Sequence, residues 1–173
     1  LIKVGYSGII FLSPTYYHFI VDYCNALKDK KIIIFSYLFA LLCEIILWTS
    51  DLFISGKYNY FFGSYPKANY FHIIYLLILT IQVLRSLLLL YSEIRKKRRN
   101  YDQTKLIFIA LLIYPVASID FLANYGVEIY PPGIFFVFLS LSITTYAIVN
   151  RRLFDIRLAI RVFTHYALLF LIF

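Results

Sequence analysis

A chain of 173 residues that is 62% hydrophobic, 20% aromatic and 15% charged, with a mean hydropathy of +0.78, departs from the composition of soluble domains, which carry about 25% charged residues. The net charge of +8 does not signal nucleic acid, because the basic residues gather at the ends of apolar runs, at Lys28–Lys31, Arg95–Lys105 and Arg151–Arg161. These numbers exclude a water-soluble core and a phosphate groove, and leave a polytopic membrane domain embedded in a lipid bilayer.

Runs of about 20 apolar residues suffice to cross about 30 Å of hydrocarbon. The first span is expected over residues 4–27, broken by Pro14, which removes a backbone donor and should kink the helix. Lys28, Lys30 and Lys31 close it. The second span, 32–54, leads to a loop from Ser55 to Lys67 that is rich in glycine and aromatics. Tyr58, Tyr60, Phe61, Phe62, Tyr65, Tyr70 and Phe71 form an expected aromatic belt at the outer interface. The third span, 69–92, returns to five consecutive basic residues, Arg95 to Arg99. A fourth, 106–122, precedes a loop from Ala123 to Gly133, whose Pro131-Pro132-Gly133 ends one helix and starts another. The fifth, 134–149, ends at Arg151-Arg152.

The predicted fold is therefore all-α: a polytopic transmembrane helix bundle of about five complete spans within residues 1–150. Residues 151–173 follow as a juxtamembrane signalling helix or the start of a further span. There Leu153, Ile156, Ile160 and Phe163 keep helical spacing, with Arg157 and Arg161 on another face, as in an amphipathic interfacial helix. Lys and Arg in short loops mark the cytoplasmic side. The basic loops are thus expected inside, the N-terminus outside, and the protein in the inner (plasma) membrane. The chain begins at Leu1, holds no methionine and stops within an apolar run, as expected of a piece of a longer protein.

No phosphate loop, zinc-protease helix or nucleophile elbow occurs, so no catalysis is expected from this chain. No cofactor or metal is expected either. Cys24 and Cys43 read as small apolar fillers at different depths. Haem would need two histidines at matched depth on facing helices, whereas His72 lies near the outer rim and His165 in the tail. What remains is a set of polar residues inside the membrane, costly there and functional candidates for that reason. His18 and Glu44 lie near mid-bilayer on neighbouring helices and are expected to face each other or a shared polar cavity. Asp22 and Arg85 match in depth and form a candidate intramembrane pair, unless Arg85 snorkels to the inner surface. For all four the plainer reading is an interhelical link. Asp51 and Asp120, with Lys57 and Lys67 at similar depth, form a solvated rim or frame an outward-facing cavity. Tyr65 and Tyr130 complete the candidates for signal perception, and Arg152, Asp155 and Arg157 those for signal transmission.

Four segments carry a family resemblance: SPTYYHF (13–19), YFFGSYPKAN (60–69), IDFLANYGVEIYPPG (119–133) and TYAIVNRRLFDIRLAIR (145–161). In this order and spacing they resemble the seven-helix N-terminal membrane region of bacterial sensor histidine kinases, most tellingly at the Tyr65–Ala68 turn and the Leu153–Arg157 helix exit. The resemblance implies a sensory input module in a two-component receptor. It also implies a homodimer formed through the parent protein, an output kinase domain outside this chain, a response regulator as partner and an unknown signal ligand. Neither a phosphoacceptor box nor ATP-binding boxes occur in the chain. The competing reading is a small transporter or channel subunit, which would want an inverted repeat or broken helices around a midplane site.

Overall fold

Without water, backbone N–H and C=O groups must be satisfied within the chain, and helices do this locally. The computed structural model describes residues 2–96 and 101–150. It contains α1 (Ile2–Tyr23), α2 (Lys30–Thr49), α3 (Tyr70–Arg95), α4 (Tyr101–Ile113) and α5 (Gly133–Asn150). Helix α1 passes through Pro14 without ending there. It stops at Tyr23, short of the expected boundary, because Asn25 turns left-handed at φ 50° and the Ala26 N–H closes back on Val21 O at 2.9 Å. Asparagine tolerates that conformation better than most side chains. A 3₁₀ turn, Leu27–Asp29, then leads into α2.

Cross-helix hydrogen bonds fix the directions. Tyr75 Oη donates to Ile9 O at 3.0 Å and Ser13 Oγ donates to Gln82 Oε1, so α1 and α3 run parallel. Bonds from α1 to α2 pair Ser7 with Glu44 and His18 with Tyr37, so α2 is antiparallel to both. Ser140 Oγ donates to Ala110 O at 2.9 Å and Gln103 Nε2 to Ala147 O at 3.0 Å, which sets α5 antiparallel to α4. The lysine-bearing α1–α2 turn therefore shares one end of the bundle with the C-terminus of α3 and the N-terminus of α4. Three apolar clusters fill the interior among the described residues, one around Tyr6, Ile10, Leu47 and Phe53, one around Ile20, Leu90, Ile107 and Leu111, and a smaller one of Tyr17, Val21 and Ile33.

Two expected loops are ordered differently. Ser55 to Lys67 is not a loop but an antiparallel hairpin, β1 (Ile54–Tyr60) and β2 (Gly63–Ala68), so the all-α expectation is corrected to mostly helical with one hairpin. The Phe61-Phe62 connection is closed by Gly63, whose φ of 143° suits glycine. Pro66 offers no N–H, and a two-stranded ribbon leaves it an outer side where none is required. The second correction concerns the fourth span. Helix α4 gives way at Tyr114 to a 3₁₀ segment, Tyr114–Tyr125, that replaces the second half of the expected span and enters only the first three residues of the predicted loop. Pro115 removes the donor that the α ladder needs there. Gly126, at φ 92°, ends the segment, and its Val127 N–H bonds to Leu122 O.

Three helical stretches are long and apolar enough to cross a membrane: Leu27–Thr49, Tyr70–Arg95 and Tyr101–Tyr125. Gly133–Val149 is apolar but shorter, and α1 falls outside the set, its hydropathy diluted by Lys3, His18, Asp22 and several hydroxyls. By length and hydropathy the described residues thus hold three spans of the expected five.

Gly133 starts α5 where no side chain fits. A Cβ there would stand 2.8 Å from Ala117 O and overlap the Asp120 carboxylate, whereas one on Gly56 would meet nothing within 4 Å. Gly133→Ala should destabilise the bundle by about 1–3 kcal/mol, read as a lower thermal midpoint in detergent, with Gly56→Ala close to unchanged.

Candidate functional site

The hairpin end of the bundle is organised by His72, whose side chain is completely buried in the third position of α3 after its cap. Its Nδ1 lies 2.7 Å from Tyr125 Oη and its Nε2 3.3 Å from Tyr6 Oη. Asn124 Nδ2 donates to Tyr6 Oη in turn. Tyr6 is then free to donate to Nε2 and Nδ1–H to donate to Tyr125, which describes a neutral imidazole with every nitrogen satisfied. The rings of Phe53, Tyr75 and Phe121 surround the same imidazole at 5.3–5.9 Å. One side chain thus ties α1, the approach to β1, α3 and the 3₁₀ segment together. Over it sits the hairpin. Tyr60 Oη donates to Ala123 O at 2.8 Å, Tyr58 lies against Gly126, and Phe62 packs edge-on to Tyr130.

Deeper in the bundle, α1, α3, α4, the 3₁₀ segment and α5 enclose a cavity of about 730 Å³, within the range of small-molecule sites. Leu12, Leu79, Val83, Leu111, Phe121 and Val137 are among its apolar walls. The hydroxyls of Tyr16 and Tyr114 and the Ser13–Gln82 pair supply polarity at its side, and Asp120 at its hairpin end. Asp120 has a second task there, since its Oδ1 accepts from Gly133 N at 2.8 Å and so caps α5. Tyr16 stacks on Tyr114 with centroids 6.1 Å apart.

At the opposite end, Asp29 is buried in the α1–α2 turn. Arg85 holds it in a two-pronged pair, Nε to Oδ2 at 2.8 Å and Nη2 to Oδ1 at 2.9 Å, and Tyr17 Oη donates to Oδ2 at 2.8 Å. This corrects the expected Asp22–Arg85 pair. Asp22 is exposed and pairs instead with His18 one turn back, at 3.3 Å. Depth alone could not separate the two aspartates, and only Asp29 lies where a guanidinium fork from α3 reaches both oxygens. The expected meeting of His18 and Glu44 is corrected too. His18 turns to Tyr37 at 3.3 Å, while Glu44 accepts from Ser7 at 2.6 Å and from Trp48 at 2.7 Å, nearer the hairpin end. Antiparallel packing carries residue 44 towards residue 7 of α1, away from residue 18.

Of the remaining candidates, Tyr65, Lys67 and Tyr130 gather on and beside the hairpin, with Lys67 Nζ 5.8 Å from the Tyr58 ring centre. Burial first, then Asp120 and Tyr130 beside it, raise the Tyr65 phenol above its ordinary pKa. Asp51 is exposed and offers its backbone oxygen to Asn69 Nδ2 at 2.9 Å. Arg152, Asp155 and Arg157 lie outside the described residues. Sequence reasoning missed His72, Tyr6, Asn124 and Asp29. A signal was present for one of them: a histidine three residues past an Asn cap, inside an apolar run, needs partners.

Comparison with known proteins places this geometry. The family described as the N-terminal 7TM region of histidine kinase matches residues 1–157. No curated protein and no solved structure matches the chain.

Two substitutions test the polar anchors. His72→Phe leaves the Tyr6 and Tyr125 hydroxyls short of a partner, and should cost about 1–3 kcal/mol in unfolding measurements. Arg85→Leu leaves the Asp29 carboxylate buried and unpaired, at about 3 kcal/mol, and Asp29→Leu added to it should recover most of that loss. Equal midpoints for the single and double variants would show that Asp29 is solvated without Arg85.

Proposed function

Because this chain belongs to the N-terminal 7TM region of histidine kinases, we propose that it receives a signal from outside or within the membrane and passes it through α5 to a cytoplasmic output domain. The sensory role rests on the family. The route rests on one observation: Asp120 both lines the interior cavity and caps the first residue of α5. Whatever occupies the cavity bears on the residue that positions α5. A signal with different affinity for two packings of the bundle shifts their populations, and the shift leaves by the helix that Asp120 holds.

In this reading the lysine-bearing end faces the cytoplasm, by the bias of Lys and Arg towards that side. The hairpin with Tyr65, Lys67 and Tyr130 faces outward, over the His72 cluster. Arg152, Asp155 and Arg157 then continue from α5 towards the output domain. The parent works as a homodimer and hands its phosphoryl group to a response regulator, as the family's kinases imply. His18 and Glu44 act as links between α1 and α2, given the partners they have.

Autophosphorylation of the full-length kinase in vesicles tests the route. Val83→Phe narrows the cavity from α3, and a bias of 1–2 kcal/mol between packings changes their ratio by about 5–30-fold. Basal activity should move by a comparable factor. Ile45→Phe, on the exposed face of α2, should leave it unchanged. Equal activity in both variants, with normal insertion, would remove the cavity from the signalling route.

A further inference from the structure

The cavity's lining states what kind of molecule it takes. It extends along α3 from Tyr75 to Leu87, thirteen residues, or about 18 Å of helix rise, so its occupant is elongated. Among the described residues no Lys or Arg lines it, and Asp120, their one acidic residue in its wall, already accepts the Gly133 N–H. An anionic headgroup would be buried there without a counter-charge, next to a carboxylate, at a cost the apolar walls do not offset. Polar capacity is nevertheless left over. Tyr16 Oη is shut off from solvent beside the Thr144 hydroxyl, whereas the Tyr114 phenol stacked on it is only partly buried and lines the wall. A phenol in an apolar wall gains from a partner there. Ser13 and Gln82 pair across the same wall.

We infer that the cavity binds an uncharged, elongated amphiphile, with its apolar body along Leu79, Val83 and Leu87 and a hydroxyl or carbonyl group paired to the Tyr114 phenol in the wall. This rests on the sensory reading for its consequence but not for its existence, since walls and phenol are independent of signalling. The amphiphile comes either from the bilayer, as a neutral lipid, or from the surrounding medium, and both sources share the chemistry that the cavity selects.

The test is photolabelling of the full-length kinase in phosphatidylcholine nanodiscs, with adducts located by mass spectrometry. The probes are dodecanol and dodecanoic acid, each carrying a diazirine in the chain. Dodecanol should label Tyr16, Tyr114 or Val83 at least about tenfold more than the acid does, a ratio equivalent to 1.4 kcal/mol. Val83→Phe and Tyr114→Phe should each reduce that labelling by a similar factor. Displacement by diacylglycerol placed in the disc would assign the occupant to the bilayer. Displacement by hexanol in the medium would assign it to a solute, and displacement by neither would overturn the site. Labelling confined to lipid-facing positions of α2 such as Leu38 and Ile45, or equal labelling by alcohol and acid, would also overturn the inference. Kinase activity read on the same samples separates the two claims. Specific labelling with activity unmoved supports the binding site and removes the signalling route. A Val83→Phe effect on activity without any labelling overturns the ligand and leaves the route standing.

Discussion

The ion pair between Asp29 and Arg85 is the contact on which the helix arrangement depends. A carboxylate buried in the α1–α2 turn is tolerable only if its charge is matched and its oxygens are filled. Arg85 supplies two donors and Tyr17 a third. The three come from α3, α1 and the turn, so one satisfied carboxylate fixes how far α3 stands along the first two helices. The guanidinium is still partly exposed, which lets its long stem lie along apolar surface while its head reaches the turn.

The far end is fixed by different means. His72 sits where α1, α3 and the 3₁₀ segment converge, with hydroxyls on both ring nitrogens and aromatic rings around its faces. The hairpin covers this cluster with further aromatics, so the last polar atoms of the bundle meet water only at its surface. With both ends tied, the middle need not be filled. The cavity lies between the two anchors, lined by leucines, a valine and tyrosines whose hydroxyls give it a polar side.

The 3₁₀ segment joins the cavity to the start of α5. It rises about 2.0 Å per residue against 1.5 Å in an α-helix, and such stretches often mark hinges. Its residues divide their tasks by face: Tyr114 and Phe121 line the cavity, Asn124 and Tyr125 serve the His72 cluster, and Asp120 caps α5. The segment begins next to Pro115 and ends at the left-handed Gly126, so its ends are set by backbone chemistry and not by packing.

The apolar runs, the basic residues at their ends and the punctuation at Pro131-Pro132-Gly133 were legible in the sequence, because hydropathy and turn chemistry are local. So was the family resemblance, carried by four short segments. The hairpin was half legible: Tyr58, Tyr60 and Phe62 alternate as a strand does, yet aromatics beside a membrane span read equally well as an interfacial belt. The partners of the polar residues were not legible. Asp22 and Asp29 are both aspartates near the end of α1, and the choice between them turned on where the chain reversed. That reversal depended on a left-handed Asn25 which no periodicity reveals. His72 looked peripheral by depth and proved central, since its importance comes from residues 53, 66 and 19 positions away and more, brought to it by helix packing. The sequence by itself determined that the chain enters a membrane and in what order, since transfer energies add residue by residue. Which polar groups satisfy one another, and where a cavity remains, only the tertiary structure decided, because hydrogen bonds and voids belong to pairs of helices and not to any one of them.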